Sequence, residues 1–219
     1  MFTLFRRKII NISSVSISDF GWAKAKDDKS IIQWINPEQT IAISVNFFEK
    51  PPDIPTMKNI ETLRSFYRHL ISSVNGGLIE LALSRKDTKP FLKTIYKLPQ
   101  EASGMTYIAS LTFPFKTCSF VFKVQAAEIG MTGMREALIA NKLISENVIS
   151  VDENGYSNWS ADPYDNNFKD GALMNKSEQY VYDIEFPDHP LTRARQILKQ
   201  IELSLQWKPV VEKVPAFEK

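Results

Sequence analysis

Between residues 79 and 126 the chain holds four apolar-rich stretches, three of them with apolar residues at every second position. Ile79, Leu81 and Leu83 alternate in the first, and FLKTIYKL (91–98), MTYIASLTFPF (105–115) and CSFVFKVQA (118–126) follow. A period of two sends successive side chains to opposite faces, which marks a half-buried strand. The links KDTKP, QEASG and Lys116-Thr117 are too short for a crossover, so consecutive strands must pair antiparallel. This run commits the chain to a mainly antiparallel sheet. Tyr107, Ala109, Leu111, Phe113 and Phe115 share one face. Cys118 has the parity of Phe120, Phe122 and Val124, so it points into the apolar side as an inert thiol.

The flanks add strands and helices. SIIQWI (30–35) and the alternating Ile41, Ile43, Val45 and Phe47 (40–48) form a hairpin around Asn36-Pro37-Glu38, because the residue before proline is pushed out of the helical region. Segments 8–17 and 22–26 read as further strands. KPPDIP (50–55) stops strand pairing. A helix then carries Ile60, Leu63, Phe66, Tyr67, Leu70, Ile71 and Val74 on one face, with Thr56 as its cap and Asn75-Gly76-Gly77 as its stop. A second helix fits 132–144 with Met134, Ala137, Leu138 and Ile144 inward. A hairpin turn fits Val151 to Gly155, and YVYDIEF (180–186) alternates as a strand. A last helix begins near Asp188-His189-Pro190, where proline suits the first turn, and its stripe is Leu191, Ala194, Leu198, Ile201 and Leu205.

The order of strands, helix, strand meander and helix over roughly residues 20–145 resembles the PsbP-like α/β/α sandwich, a fold shared by several bacterial adaptor and chaperone-like proteins. The resemblance is one of topology and transfers no functional residue. The strings DPYD (162–165) and FPDHPL (186–191) are similar to pieces of a bacterial family without an assigned mechanism. The expected fold is α+β, a mainly antiparallel sheet of seven or eight strands flanked by three helices as an α/β/α sandwich. The expected organisation is one domain over 1–205, with 151–188 as an acidic and aromatic elaboration and 206–219 as a loose tail.

Composition narrows the function. A net charge of +2 over 219 residues provides no field for nucleic acid or membrane, and the basic cluster Arg6, Arg7, Lys8 is too small to form a stripe. No apolar run approaches a membrane span, and the N-terminus has no signal-peptide pattern. One cysteine suits a reducing compartment, so the expected setting is cytoplasmic. The nucleophile elbow G-x-S-x-G, the phosphate loop and the dinucleotide fingerprint are all missing, and no cofactor is expected. Asp162, Asp165 and Asp170 lack the glycine and closing glutamate of a calcium loop. Gly130 to Gly133 enters a helix with Arg135 in its first turn. That spacing fits a flexible corner, or else an anion site. His69 lies opposite its helix's apolar stripe and should face water.

The stretch 151–188 stands apart. Nine acids stand against two lysines, a balance of −7, with seven aromatic residues interleaved. Two uses compete. The segment can dock a basic partner protein, with Trp159, Asp162, Tyr164 and Asp165 as contacts. It can instead fold inward, with Arg195 paired to one of Asp162, Asp165 or Asp183. The first use makes the chain a non-enzymatic binding protein of adaptor, chaperone-like or inhibitor type. An alternative is an enzyme or small-ligand binder with a pocket between sheet and last helix, holding Asp183, His189 and Arg195. A structural subunit is a third possibility. The sequence does not give the oligomeric state.

Overall fold

The computed structural model describes residues 10–218. The Arg6–Lys8 cluster, the N-terminal pattern and the start of the 8–17 segment lie outside the described residues. From Ile10 onward, that segment is a short 3₁₀ turn, Ile12–Ser14, and a two-residue strand β1 (Val15–Ser16) rather than one long strand. Asn11 and Ser14 cap the turn reciprocally, which breaks the extended run.

Seven strands form the expected sheet. They are β2 (Ala23–Asp27), β3 (Ile31–Ile35), β4 (Ile41–Phe48), β5 (Gly77–Lys86), β6 (Lys89–Pro99), β7 (Met105–Pro114) and β8 (Ser119–Ala127). Their order is β2-β3-β4-β8-β7-β6-β5, with every neighbouring pair antiparallel. The β3–β4 hairpin closes as anticipated: the Asn36 side-chain oxygen accepts from the Thr40 and Ile41 backbone N–H groups at 2.9 and 2.7 Å. β2 is an exposed edge carrying Lys24 and Lys26 and a register shift between them, features that discourage pairing with another chain.

Helices cover both faces. α1 (Ile60–Ser72) packs Leu63 and Ile71 on Leu78, Leu81 and Leu92. Its cap is Asn59, whose side chain accepts from Glu61 and Thr62 N–H; Thr56 lies too far upstream and accepts from Lys58 instead. Leu70 and Val74, expected inward, are exposed. α2 (Met134–Ser145) differs more. It buries Arg135, Ile139, Ala140 and Leu143, while Met134 and Leu138 face out. The buried row runs at four-residue spacing from an arginine, one position over from the apolar row read in the sequence.

A small hairpin of β9 (Ser150–Asp152) and β10 (Gly155–Ser157) follows, as expected. The segment 180–186 is not a strand. Tyr180–Ile184 is a 3₁₀ helix, preceded by a 3₁₀ turn at Lys176–Glu178. α3 (Pro190–Ser204) buries Leu191, Ala194, Leu198 and Ile201 against β7 and β8, with Leu205 behind them.

The last residues are packed rather than loose. β11 (Gln206–Trp207) pairs with β1, and α4 (Pro209–Glu212) buries Val211. Trp207 lies edge-on to Phe113 and Phe120, with ring centroids 4.9 and 5.6 Å away. That aromatic contact offsets the two prolines that break the segment's periodicity.

Candidate docking groove

Part of the acidic stretch folds inward: Asp162, Glu178 and Asp183 are buried. Five of its nine acids lie within 4 Å of a cation: Asp162 and Asp165 on Arg68, Glu178 on Lys97, Asp183 on Arg135 and Arg195, and Glu185 on Lys142. Arg195 thus pairs with Asp183, and Arg68 of α1 takes the other two candidates.

The first part of the stretch covers the β5 edge. Tyr164 accepts from Leu81 N–H at 2.8 Å and donates to the Leu81 carbonyl at 3.3 Å, so one hydroxyl satisfies both outward backbone groups. Burial raises its pKa, which keeps that donor in place. Arg64 lies over the Tyr164 ring at 3.8 Å. Asp162 is buried and also accepts from Tyr164 N–H at 2.9 Å. A side chain at Gly77 would overlap the Ala172 carbonyl, so glycine there is what lets the segment approach. Trp159 packs half-buried beside α2, with Tyr156 against its ring at 5.8 Å. Asp162 and Tyr164, expected as partner contacts, are therefore engaged within the molecule. Asp165 is half-exposed and Asp170 exposed.

The second part is a buried ionic network. Arg135 is 1% exposed and joins three elements. Its Nε donates to the Ser177 carbonyl at 2.8 Å, Nη1 to Thr192 Oγ1 at 3.0 Å, and Nη2 to Asp183 Oδ1 at 2.9 Å and the Gln179 carbonyl at 3.2 Å. Arg195 Nη1 donates to the same Asp183 oxygen at 2.8 Å, and Nη2 to the Glu178 carbonyl at 2.8 Å. Behind them Glu178 Oε2 accepts from Lys97 Nζ and Asn175 N–H, both at 2.8 Å. Arginine at 135 was considered in the sequence only as a possible anion ligand. Its signal as a hub was its place in a row with Ile139 and Leu143.

His189 lies apart from Asp183 and Arg195. Asp183 and Arg195 line a groove of about 900 Å³ between the 180–184 helix and α3. His189 lines a second, about 450 Å³, with Glu128, Met131 and Met134. Pro187 borders both. The triad imagined for a catalytic pocket therefore does not converge. His189 is the α3 cap: Nδ1 accepts from Leu191 N–H at 3.2 Å, which leaves the ring hydrogen on Nε2, 3.5 Å from Glu128 Oε1. Glu128, Glu136 and His189 hold ligand-type atoms within 4.8 Å of one another. The cap uses the Nδ1 lone pair and turns the Nε2 hydrogen toward Glu128, so as built the imidazole offers that spot no lone pair. Burial pushes the Glu128 pKa up, but hydrogen bonds from His189 and from Gly133 and Met105 N–H outweigh it, and the net shift is downward. Glu128 therefore occupies the α2 entrance where an outside anion was considered, accepting from Gly133 N–H at 3.2 Å. Burial, helped by the Glu178, Glu136 and Glu128 carboxylates, holds the Tyr107 hydroxyl protonated as a donor toward Glu136 Oε1 at 3.5 Å. His69 is exposed, as expected, and Cys118 is buried.

The 180–184 helix also turns apolar side chains outward. Tyr180, Val181 and Ile184 are 77%, 65% and 87% exposed along one wall of the larger groove. Ile129, Met131 and Met134 are exposed apolar residues lining the second groove, and Leu138 is exposed on α2. Among the described residues, no helix is long and apolar enough to cross a membrane.

No protein-family model matches the sequence, and no curated protein matches it. Among solved structures, the Ran-binding protein Mog1p of Saccharomyces cerevisiae is similar in outline. Its TM-score is 0.47 at 8% sequence identity, over 89% of this chain and 90% of that one. At that distance the likeness carries no residue and no function across, and the PsbP-like resemblance stands on strand order alone.

Proposed function

We propose that this chain is a protein-binding module that docks a partner through the apolar ridge Tyr180, Val181 and Ile184 and the groove beside it. One observation supports this most. The 180–184 helix turns Asp183 inward onto two arginines and three large apolar side chains outward. Burying charge adds little stability by itself, whereas exposing contiguous apolar surface costs solubility. An arrangement that does both holds a sticky ridge rigidly in a fixed position, which suits recognition.

The charge-led version, in which the acidic stretch attracts a basic partner, has less support. Of the acids without a partner in an ion pair, Asp152 and Glu153 share the β9–β10 hairpin end, while Asp170 and Asp188 sit elsewhere along the stretch. An enzymatic reading has less support: in the larger groove the Thr192 hydroxyl donates to Asp183 at 3.2 Å, but two arginines hold that carboxylate as their counter-ion.

The test compares two baits in the native lysate, the wild-type chain and Val181→Ser/Ile184→Ser. Docking through the ridge predicts a discrete protein held by the first and absent from the second. Identical captures on both baits would remove the ridge from the interface.

A further inference from the structure

Resting on that docking reading, we infer that the occupant of the larger groove is an amphipathic α-helix contributed by the partner protein. Three features of the groove select it.

The first is backbone chemistry. An extended peptide needs donors and acceptors along its path, usually from a free sheet edge. Here β5 borders the groove through Glu80, but the Leu81 N–H and carbonyl at its edge are already taken by the Tyr164 hydroxyl. The opposite wall presents apolar side chains. A helix satisfies its own backbone and needs neither.

The second is the shape of the α3 wall. Thr192, Arg195, Lys199 and Glu202 recur at three- and four-residue spacing, so they form one row over about 15 Å. That length matches about ten residues of a helix lying alongside. The facing wall offers Tyr180, Val181 and Ile184 to its apolar side.

The third is charge. Glu80 and Lys93 at the floor are paired at 2.7 Å, and Arg195 is paired with Asp183. Among the described residues, Lys199 and Glu202 have no ion-pair partner within 4 Å. The α3 wall therefore shows one positive and one negative group a turn apart. A helix that fits carries an acid and a base three or four residues apart beside its apolar stripe, in the order that sets its direction along α3.

The experiment uses the purified full chain and a phage-displayed library of random peptides, about eighteen residues long, with Ile184→Ser as the counter-target. Enriched sequences should repeat apolar residues at i, i+3, i+4 and i+7. They should bind Ile184→Ser about ten-fold more weakly, and lose binding when a central residue becomes proline. Lys199→Glu should weaken them, and reversing the peptide's acid should restore them. Enriched sequences of period two, or tolerance of the central proline, would overturn the helix while leaving the docking ridge intact. Equal binding to both targets, or no enrichment over the counter-target, would overturn both.

Discussion

Asp183 Oδ1 lies 2.9 Å from Arg135 Nη2 while, on its other side, Arg195 closes to 2.8 Å. This shared carboxylate ties α2, the 180–184 helix and α3 together, and it fixes which way Val181 and Ile184 point. Asp183→Ala leaves two buried guanidinium groups uncompensated and should cost about 3–5 kcal/mol. Urea unfolding at neutral pH measures it. A loss below about 1 kcal/mol would mean that water compensates the arginines.

Tyr164→Phe removes only the hydroxyl that serves both Leu81 backbone groups. The expected loss is about 1–2 kcal/mol, with greater aggregation on heating because the β5 edge is bared. Thermal denaturation followed by light scattering separates the two effects.

Burial holds the Cys118 thiol up at about 11, against the weaker opposing pull of a Thr117 hydrogen bond. At pH 8 the folded protein should react with a disulfide reagent far more slowly than the same protein in urea. Equal rates would place the sulfur at the surface.

Glu128 has its pKa lowered, so its contribution to stability is complete above the ordinary carboxylate range and disappears as pH falls through the folded value. The stability gap between wild type and Glu128→Gln should be constant from about pH 7 to 5 and shrink below that. Urea midpoints at a series of pH values give the gap, and a gap that widens on acidification would contradict the assignment.

The sheet was legible because strand residues alternate and their facing partners do too: Tyr107, Ala109, Leu111 and Phe113 all lie buried where parity put them. α3 was legible for the same reason at helical spacing. Failures came where charge is buried or apolar surface is exposed. At 180–186 the alternation of Tyr180, Tyr182 and Ile184 imitates a strand, but Asp183 is the residue that turns inward, and a carboxylate buried by distant arginines leaves no local trace. In α2 the inward row begins with Arg135, so the neighbouring row of Met134 and Leu138 looked more core-like. Acid content at 151–188 suggested an outward field, whereas Arg68, Lys97 and Arg135 neutralise part of it from parts of the chain far away in sequence. Arg195 was expected to pair with one of Asp162, Asp165 or Asp183, and it pairs with Asp183, but from the second turn of α3, where the dipole argument no longer reaches.

A photo-crosslinking amino acid placed at Ile184, and separately at the exposed Leu70 of α1, tests the docking ridge most directly. Irradiation in the native cell should join one discrete partner to position 184 and leave position 70 unlinked. No adduct at 184, or the same adducts at both positions, would contradict recognition through this ridge.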